Sequence, residues 1–169
     1  VKYTNPSAAP VDGIRTIAFT VKDTEGAGDA AARLLSVVGV NGKPTLTLTG
    51  PALTYGTRAS KLAVASTLKI TDLDNTRLTG ATISISVGFA TGQDVLSVTT
   101  KTGITANYNG ATGVLTLSGN ATLATYQAVL RSLKFTTPTG APAGIRTISI
   151  TATDFSLTSD PVTRDIAVI

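Results

Sequence analysis

Three short patterns in the chain match a serine acyl-transfer site, in which a lysine near the serine takes up its proton. They are Ser66-Thr67-Leu68-Lys69 (Ser-x-x-Lys), Lys101-Thr102-Gly103 (Lys-Thr-Gly) and Ser118-Gly119-Asn120 (Ser-x-Asn). That chemistry needs the serine and lysine one helical turn apart. Leu68 and Ile70 alternate with polar residues, which predicts a strand and sends Ser66 and Lys69 to opposite faces. The other two motifs also stand in the wrong chain order. Glycoside hydrolysis needs two buried, facing carboxylates, but the ten acids fall in predicted turns. With no His and no Cys, there is no imidazole base, no zinc site of the usual kind, no thiolate and no disulfide. Lys2 and Lys134 occupy the same slot in a duplicated segment, and a recurring lysine raises the question of an internal Lys–Asn crosslink. Their apolar neighbours point inward, so both lysines are predicted to face solvent. The sequence therefore predicts a protein that is not an enzyme.

Oxygen ligands are the chemistry that remains. Asp72, Asp74 and Asn75 sit in an acidic turn, with hard donors at the alternate positions that suit Ca²⁺; Asp23, Glu25 and Asp154 lie in turns able to add to them. The competing reading is that these side chains satisfy backbone groups of their own turns. Calcium needs six to eight oxygens, and both readings stay open here. The net charge of +4 and pI of 9.6 permit an acidic partner. The Lys and Arg residues are scattered singly without interleaved aromatics, so nucleic acid is not an expected partner. No apolar run reaches membrane-spanning length, so no membrane insertion is expected. Sugar sites usually offer aromatic platforms. With four Tyr, four Phe and no Trp, Tyr55 and Tyr108 are the aromatic candidates. The row Thr45, Thr47, Thr49 is too short for an ordered ice-like surface and reads as solvent-facing strand residues.

The elements that position these residues are set by a duplication. Gly13-Ile14-Arg15-Thr16-Ile17 recurs as Gly144-Ile145-Arg146-Thr147-Ile148, an offset of 131 residues, and the echo runs on through Asp23 and Asp154 to Arg33 and Arg164. The chain thus holds one whole repeat and the tail of another. Residues 1–38 are predicted to supply three strands in meander spacing, the first at Val1–Thr4. Asn41-Gly42 and Pro44 punctuate a linker over 39–44, and residues 45–169 make the complete repeat. Within it, alternating runs predict strands at Thr45–Thr49, Leu68–Thr71, Ile83–Val87, Asp94–Val98, Ile104–Tyr108 and Val114–Leu117. Shorter strand pieces flank Gly56-Thr57-Arg58. The five residues Asn109–Gly113 form a hairpin loop. From 122 to 130 the period changes: Leu123, Tyr126, Val129 and Leu130 share one helical face, with Asn120 or Thr122 near the cap. Short strands with one short helix predict an all-β fold, an antiparallel β-sandwich. The first residue is Val, which suggests that upstream residues have been removed or left out.

Thr91-Gly92-Gln93-Asp94-Val95-Leu96-Ser97, Gly113-Val114-Leu115-Thr116-Leu117-Ser118-Gly119 and Tyr126-Gln127-Ala128-Val129-Leu130-Arg131-Ser132, with the closing Arg146–Thr151 and Asp154, carry a family resemblance. Residues 41–169 resemble the cadherin-like, Ig-like repeats found in tandem in very large bacterial surface and secreted adhesin-type proteins. The resemblance implies a β-sandwich scaffold, an extracellular or cell-surface location and no shared activity; the lack of Met and Trp fits such a location. Family linkers read Val-Asn-Asp-Ala-Pro, with the aspartate helping to hold calcium. Here the matching residues are Val40-Asn41-Gly42-Lys43-Pro44, which lack that acceptor. The expected function is a structural module of a surface fibre or adhesin. Its partners are other copies of itself, head to tail, or adjacent repeats. Strands 1–38 bury too little to stand alone, so their apolar residues Val1, Tyr3, Ile17, Phe19, Val21, Leu35 and Val37 form the expected interface, by strand complementation. The alternative is an excerpt of a long tandem-repeat adhesin with a host- or carbohydrate-binding role.

Overall fold

A computed structural model describes residues 1–7, 10–56 and 60–169. The strand-flanking turn expected at Thr57 and Arg58 lies outside the described residues. The chain divides into two compact units, Val1–Gly42 and Lys43–Ile169.

The larger unit is a β-sandwich. Its strands are β3 (Thr45–Thr47), β4 (Leu53–Tyr55), β5 (Leu62–Ala63), β6 (Lys69–Thr71), β7 (Arg77–Val87), β8 (Val95–Ser97), β9 (Thr105–Asn109), β10 (Val114–Thr122), β11 (Lys134–Thr136), β12 (Gly144–Thr153) and β13 (Val162–Val168). Helix α1 covers Leu123–Arg131. A six-stranded sheet runs β4-β13-β12-β7-β10-β9, a three-stranded sheet runs β5-β11-β8, and β3 pairs with β6. All pairings are antiparallel except β13 with β4. Period-two alternation explains the core. Ile83 and Ile85 of β7, Leu115 and Leu117 of β10, Ile148 and Ile150 of β12 and Ile166 and Val168 of β13 all point inward. Phe135 meets them from the other sheet, with Tyr55 edge-on to its ring at 5.3 Å between centroids.

The helix forms where the apolar period changes. Thr122 is the N-cap, its Oγ1 accepting from the Thr125 amide at 3.1 Å, and Tyr126, Val129 and Leu130 form the buried face. Just before it, β10 carries an irregularity between Ser118 and Ala121. Gly119 there has φ 137°, and a Cβ at this position would lie 1.9 Å from the Gly103 carbonyl oxygen. Only glycine lets the two backbones approach this closely.

The smaller unit holds two strands, β1 (Gly13–Phe19) and β2 (Ala31–Val37), paired antiparallel. The third strand expected at Val1–Thr4 is not formed. Its counterpart in the complete repeat, β11, is three residues long and exists between β5 and β8, whereas among the described residues of Val1–Gly42 no such ladder partners are present. A segment this short has too few backbone bonds of its own to offset its ordering entropy.

Candidate functional site

The duplication extends from sequence to backbone bonding. In the hairpin, Gly13 faces Val37, Arg15 faces Leu35, Ile17 faces Arg33 and Phe19 faces Ala31. In the complete repeat, Gly144 faces Val168, Arg146 faces Ile166, Ile148 faces Arg164 and Ile150 faces Val162, the same register at every pair. The connecting turns match as well. Asp23 Oδ1 accepts from the amides of Glu25 and Gly26, as Asp154 Oδ1 accepts from Ser156 and Leu157. The Gly28 amide donates to the Val21 carbonyl at 2.9 Å, and the Ser159 amide to the Ala152 carbonyl at 2.8 Å.

What differs is cover. The inward face of β12–β13 is sealed, whereas the equivalent hairpin face stays open: Phe19 is 39% exposed where Ile150 is 0%, and Val21 is 79% exposed where Ala152 is 0%. Tyr3 is 42% exposed where Phe135, its counterpart, is 0%. Ile17, Leu35 and Val37 are half-buried, lie on that same hairpin face and alternate with exposed Ala18, Leu34 and Ser36. Val21 follows the end of β1, and Val1 and Tyr3 lie outside any strand. Burying one such side chain contributes about 1.5–3 kcal/mol, so cover over this face would be stabilising.

The covered copy shows how the face is closed. Arg146 reaches under the sheet, its Nε 2.8 Å from Asp94 Oδ2, with side chains 3% and 0% exposed. Its Nη2 donates to the Pro142 carbonyl at 2.8 Å, and Asp94 Oδ2 also accepts from the Ala90 amide at 2.8 Å. The sequence suggests a cross-strand polar neighbour for Arg146. The partner instead comes from the turn before β8, because the inward parity of Arg146 aims it past its neighbouring strands. Asp94, read from the sequence as the first residue of a strand that in the structure begins at Val95, carries no signal of this partnership. Tyr108 covers the pair, its hydroxyl donating to the Asp94 carbonyl at 2.6 Å; burial and then the Asp94 charge push its pKa up. Arg164 clamps the opposite side, donating to the carbonyls of Thr49 and Pro51. At the rim, Lys43 Nζ meets Asp160 Oδ1 at 2.7 Å.

In the oxygen-rich turn one Asp72 oxygen is engaged by the backbone. Asp72 Oδ1 accepts from the Asp74 amide at 3.2 Å and the Asn75 amide at 3.1 Å, an Asx turn like those at Asp23 and Asp154. Asp72 Oδ2 is buried without a hydrogen-bond partner. Burial first, and then the neighbouring Asp74 carboxyl side chain, push the Asp72 carboxyl above its ordinary value, against the two turn amides, which pull it down. Among the described residues no three His, Cys, Asp or Glu side chains assemble into a metal site. Asp72 and Asp74 share one turn and Asp154 occupies another, while Asp23 and Glu25 belong to the smaller unit. These carboxylates alone do not make a calcium cage, so a cation here needs carbonyl or water oxygens as well.

The serine motifs gain nothing. Ser66 lies in the turn 66–67 rather than on a strand, because the Leu68 amide bonds back to the Ala65 carbonyl at 3.0 Å. Tyr55 is 1% exposed and so offers no platform to a sugar. No described helix is long and apolar enough to cross a membrane.

Fold and site together define a β-sandwich repeat module whose closing hairpin is present twice, once docked and once open. In comparison with known proteins, no family model matches the chain. It is similar to Halomucin of Haloquadratum walsbyi, with 32% identity over 160 residues. That alignment takes in 90% of this chain but 2% of the far longer relative.

Proposed function

We propose that this chain is a non-enzymatic structural repeat module of an extracellular surface assembly, either a fibre or a long adhesin. Its β1–β2 hairpin completes a neighbouring sandwich, joining modules head to tail. The observation that carries this reading is the hairpin face of Ile17, Phe19, Leu35 and Val37, which duplicates a core-forming face yet stays open. The relative supports it: its name places Halomucin among mucins, and a match to 2% of its length suits a modular coat protein. A head-to-tail contact is heterologous, so it extends into a filament unless it closes into a ring. Sedimentation and negative-stain imaging of the purified chain test this. Oligomers or filaments that grow with concentration, and soluble monomers after deletion of Val1–Val38, are expected; a monodisperse full-length monomer contradicts the reading.

The share of the relative covered suits a second reading in one respect, that the chain is an excerpt of a long tandem-repeat protein; in that reading the parent is an adhesin with a host- or carbohydrate-binding role. The mass of the native protein separates a self-assembling subunit from an excerpt, since a parent far above 17.1 kDa supports the excerpt, and glycan-array binding tests the binding role.

A further inference from the structure

We propose that the hairpin is received by the body of a repeat of this same type, in the seat that β12–β13 fills, with Arg15, Arg33 and Asp29 fixing the register. This rests on the repeat-module reading and names the seat within the neighbouring sandwich, and the charged contacts, that it leaves unspecified.

Three charged residues of the docked hairpin make contacts to its own repeat body. Arg146 meets Asp94, Arg164 meets the Thr49 and Pro51 carbonyls, and Asp160 meets Lys43. Each has a counterpart of like charge in the open hairpin, at Arg15, Arg33 and Asp29, all at the same offset of 131 residues. Arg15 is already half set. Its Nη2 donates to the carbonyl four residues upstream, that of Val11, at 3.1 Å, just as Arg146 Nη2 does to Pro142 at 2.8 Å. The half missing in the open hairpin is the carboxylate on Nε. An arginine at an inward position of an apolar face is costly to bury unless a carboxylate awaits it. A generic apolar surface therefore fits this hairpin poorly. A seat offering an aspartate, a pair of bare carbonyls and a lysine in the Asp94, Thr49/Pro51 and Lys43 geometry fits all three charges at once, and the matching register aligns the apolar side chains in the same step.

The test places residues 43–132 directly before Val1 of the full chain, so that Ser132 is followed by Val1 as it is by Leu133. Hydrogen exchange is then read over β1–β2, with β12–β13 of the same molecule as folding control. The amides of β1–β2 are expected to exchange about 100-fold more slowly than in the full chain alone. Arg15→Ala in the extended protein, or Asp94→Ala in the added copy, is expected to return most of that protection, whereas Thr16→Ala on the outward face leaves it intact. Unchanged exchange of β1–β2 while β12–β13 stays protected overturns the proposal, as do equal effects of Arg15→Ala and Thr16→Ala. The result also separates the two readings. Protection in the extended protein with a strictly monomeric full chain leaves the seat standing and removes polymerisation; filaments of the full chain without protection do the reverse.

Discussion

Arg146 and Asp94 show what a single inward charge costs and gives. With 3% and 0% of their side chains exposed, neither partner can turn to water if the other is lost. Arg146→Ala and Asp94→Ala are each expected to lower stability by about 3–5 kcal/mol in urea unfolding, with the double variant well short of the sum. Additive losses would mean that the two do not act as a pair. Asp72 works the other way. Its folded pKa is raised above the ordinary 3.8, so the folded state keeps a proton that the unfolded chain has released. The stability that Asp72 contributes is therefore full below its ordinary pKa and is lost as pH rises through the folded value. Asp72→Asn keeps an oxygen for the turn amides and removes the titration. Its Tm is expected to decline less than that of the wild type from about pH 3.5 upward; parallel pH profiles would refute this. A calcium ion on the same carboxylate reverses the sign, because it binds the charged form. If calcium binds, about 1 mM of it raises the wild-type Tm above its value in EDTA, more so at neutral pH, and leaves Asp72→Asn unmoved. Equal Tm values in calcium and EDTA would dispose of the cation.

At the scale of elements, local rules account for most of what the sequence makes visible. Helix α1 follows from the shift in spacing at Leu123, Tyr126, Val129 and Leu130 and from the Thr122 hydroxyl. Thr122→Ala is expected to cost about 1 kcal/mol in thermal unfolding, and an unchanged Tm would show that the cap is not used. The hairpin loop Asn109–Gly113 was equally readable: the Gly113 amide bonds to the Asn109 carbonyl at 2.9 Å, and Gly113 takes φ 70°. Long-range partners were not readable. Nothing near Arg146 points to Asp94, which lies 52 residues away in sequence. Nothing near Gly119 shows that the Gly103 carbonyl will fill the space of its missing Cβ. Val1–Thr4 failed as a strand for the same reason. Its alternation is real, but a strand is made by its ladder partners, and alternation does not say whether they are present. The candidate interface was legible as a set of apolar residues, and its charged register was not, since that emerges only when the open and docked hairpins are laid side by side.

At the scale of the whole molecule, two hairpins with the same register, the same turn bonds and related sequences sit in opposite circumstances. The chain thus contains its own control for what tertiary cover adds to a strand pair. Each ladder joins seven residue pairs, from Gly13–Val37 to Phe19–Ala31 and from Gly144–Val168 to Ile150–Val162. If backbone bonding set stability, the two would open equally often. An uncovered two-stranded hairpin is marginal in water, whereas β12 is held between β7 and β13 over a sealed core. Exchange of β1–β2 amides is therefore expected to be at least about 1,000-fold faster than that of β12–β13 in dilute full-length protein, where copies do not meet. A gap that narrows as concentration rises would mean that a second molecule supplies the missing cover, which in a full-length copy requires its own β12–β13 to leave the seat. The side chains to become protected first are those whose counterparts are sealed, Phe19 and Val21 ahead of the outward Ile14 and Leu34. Equal exchange of the two hairpins at every concentration would show that β1–β2 is stable on its own, and the open face would then lose its claim to be an interface.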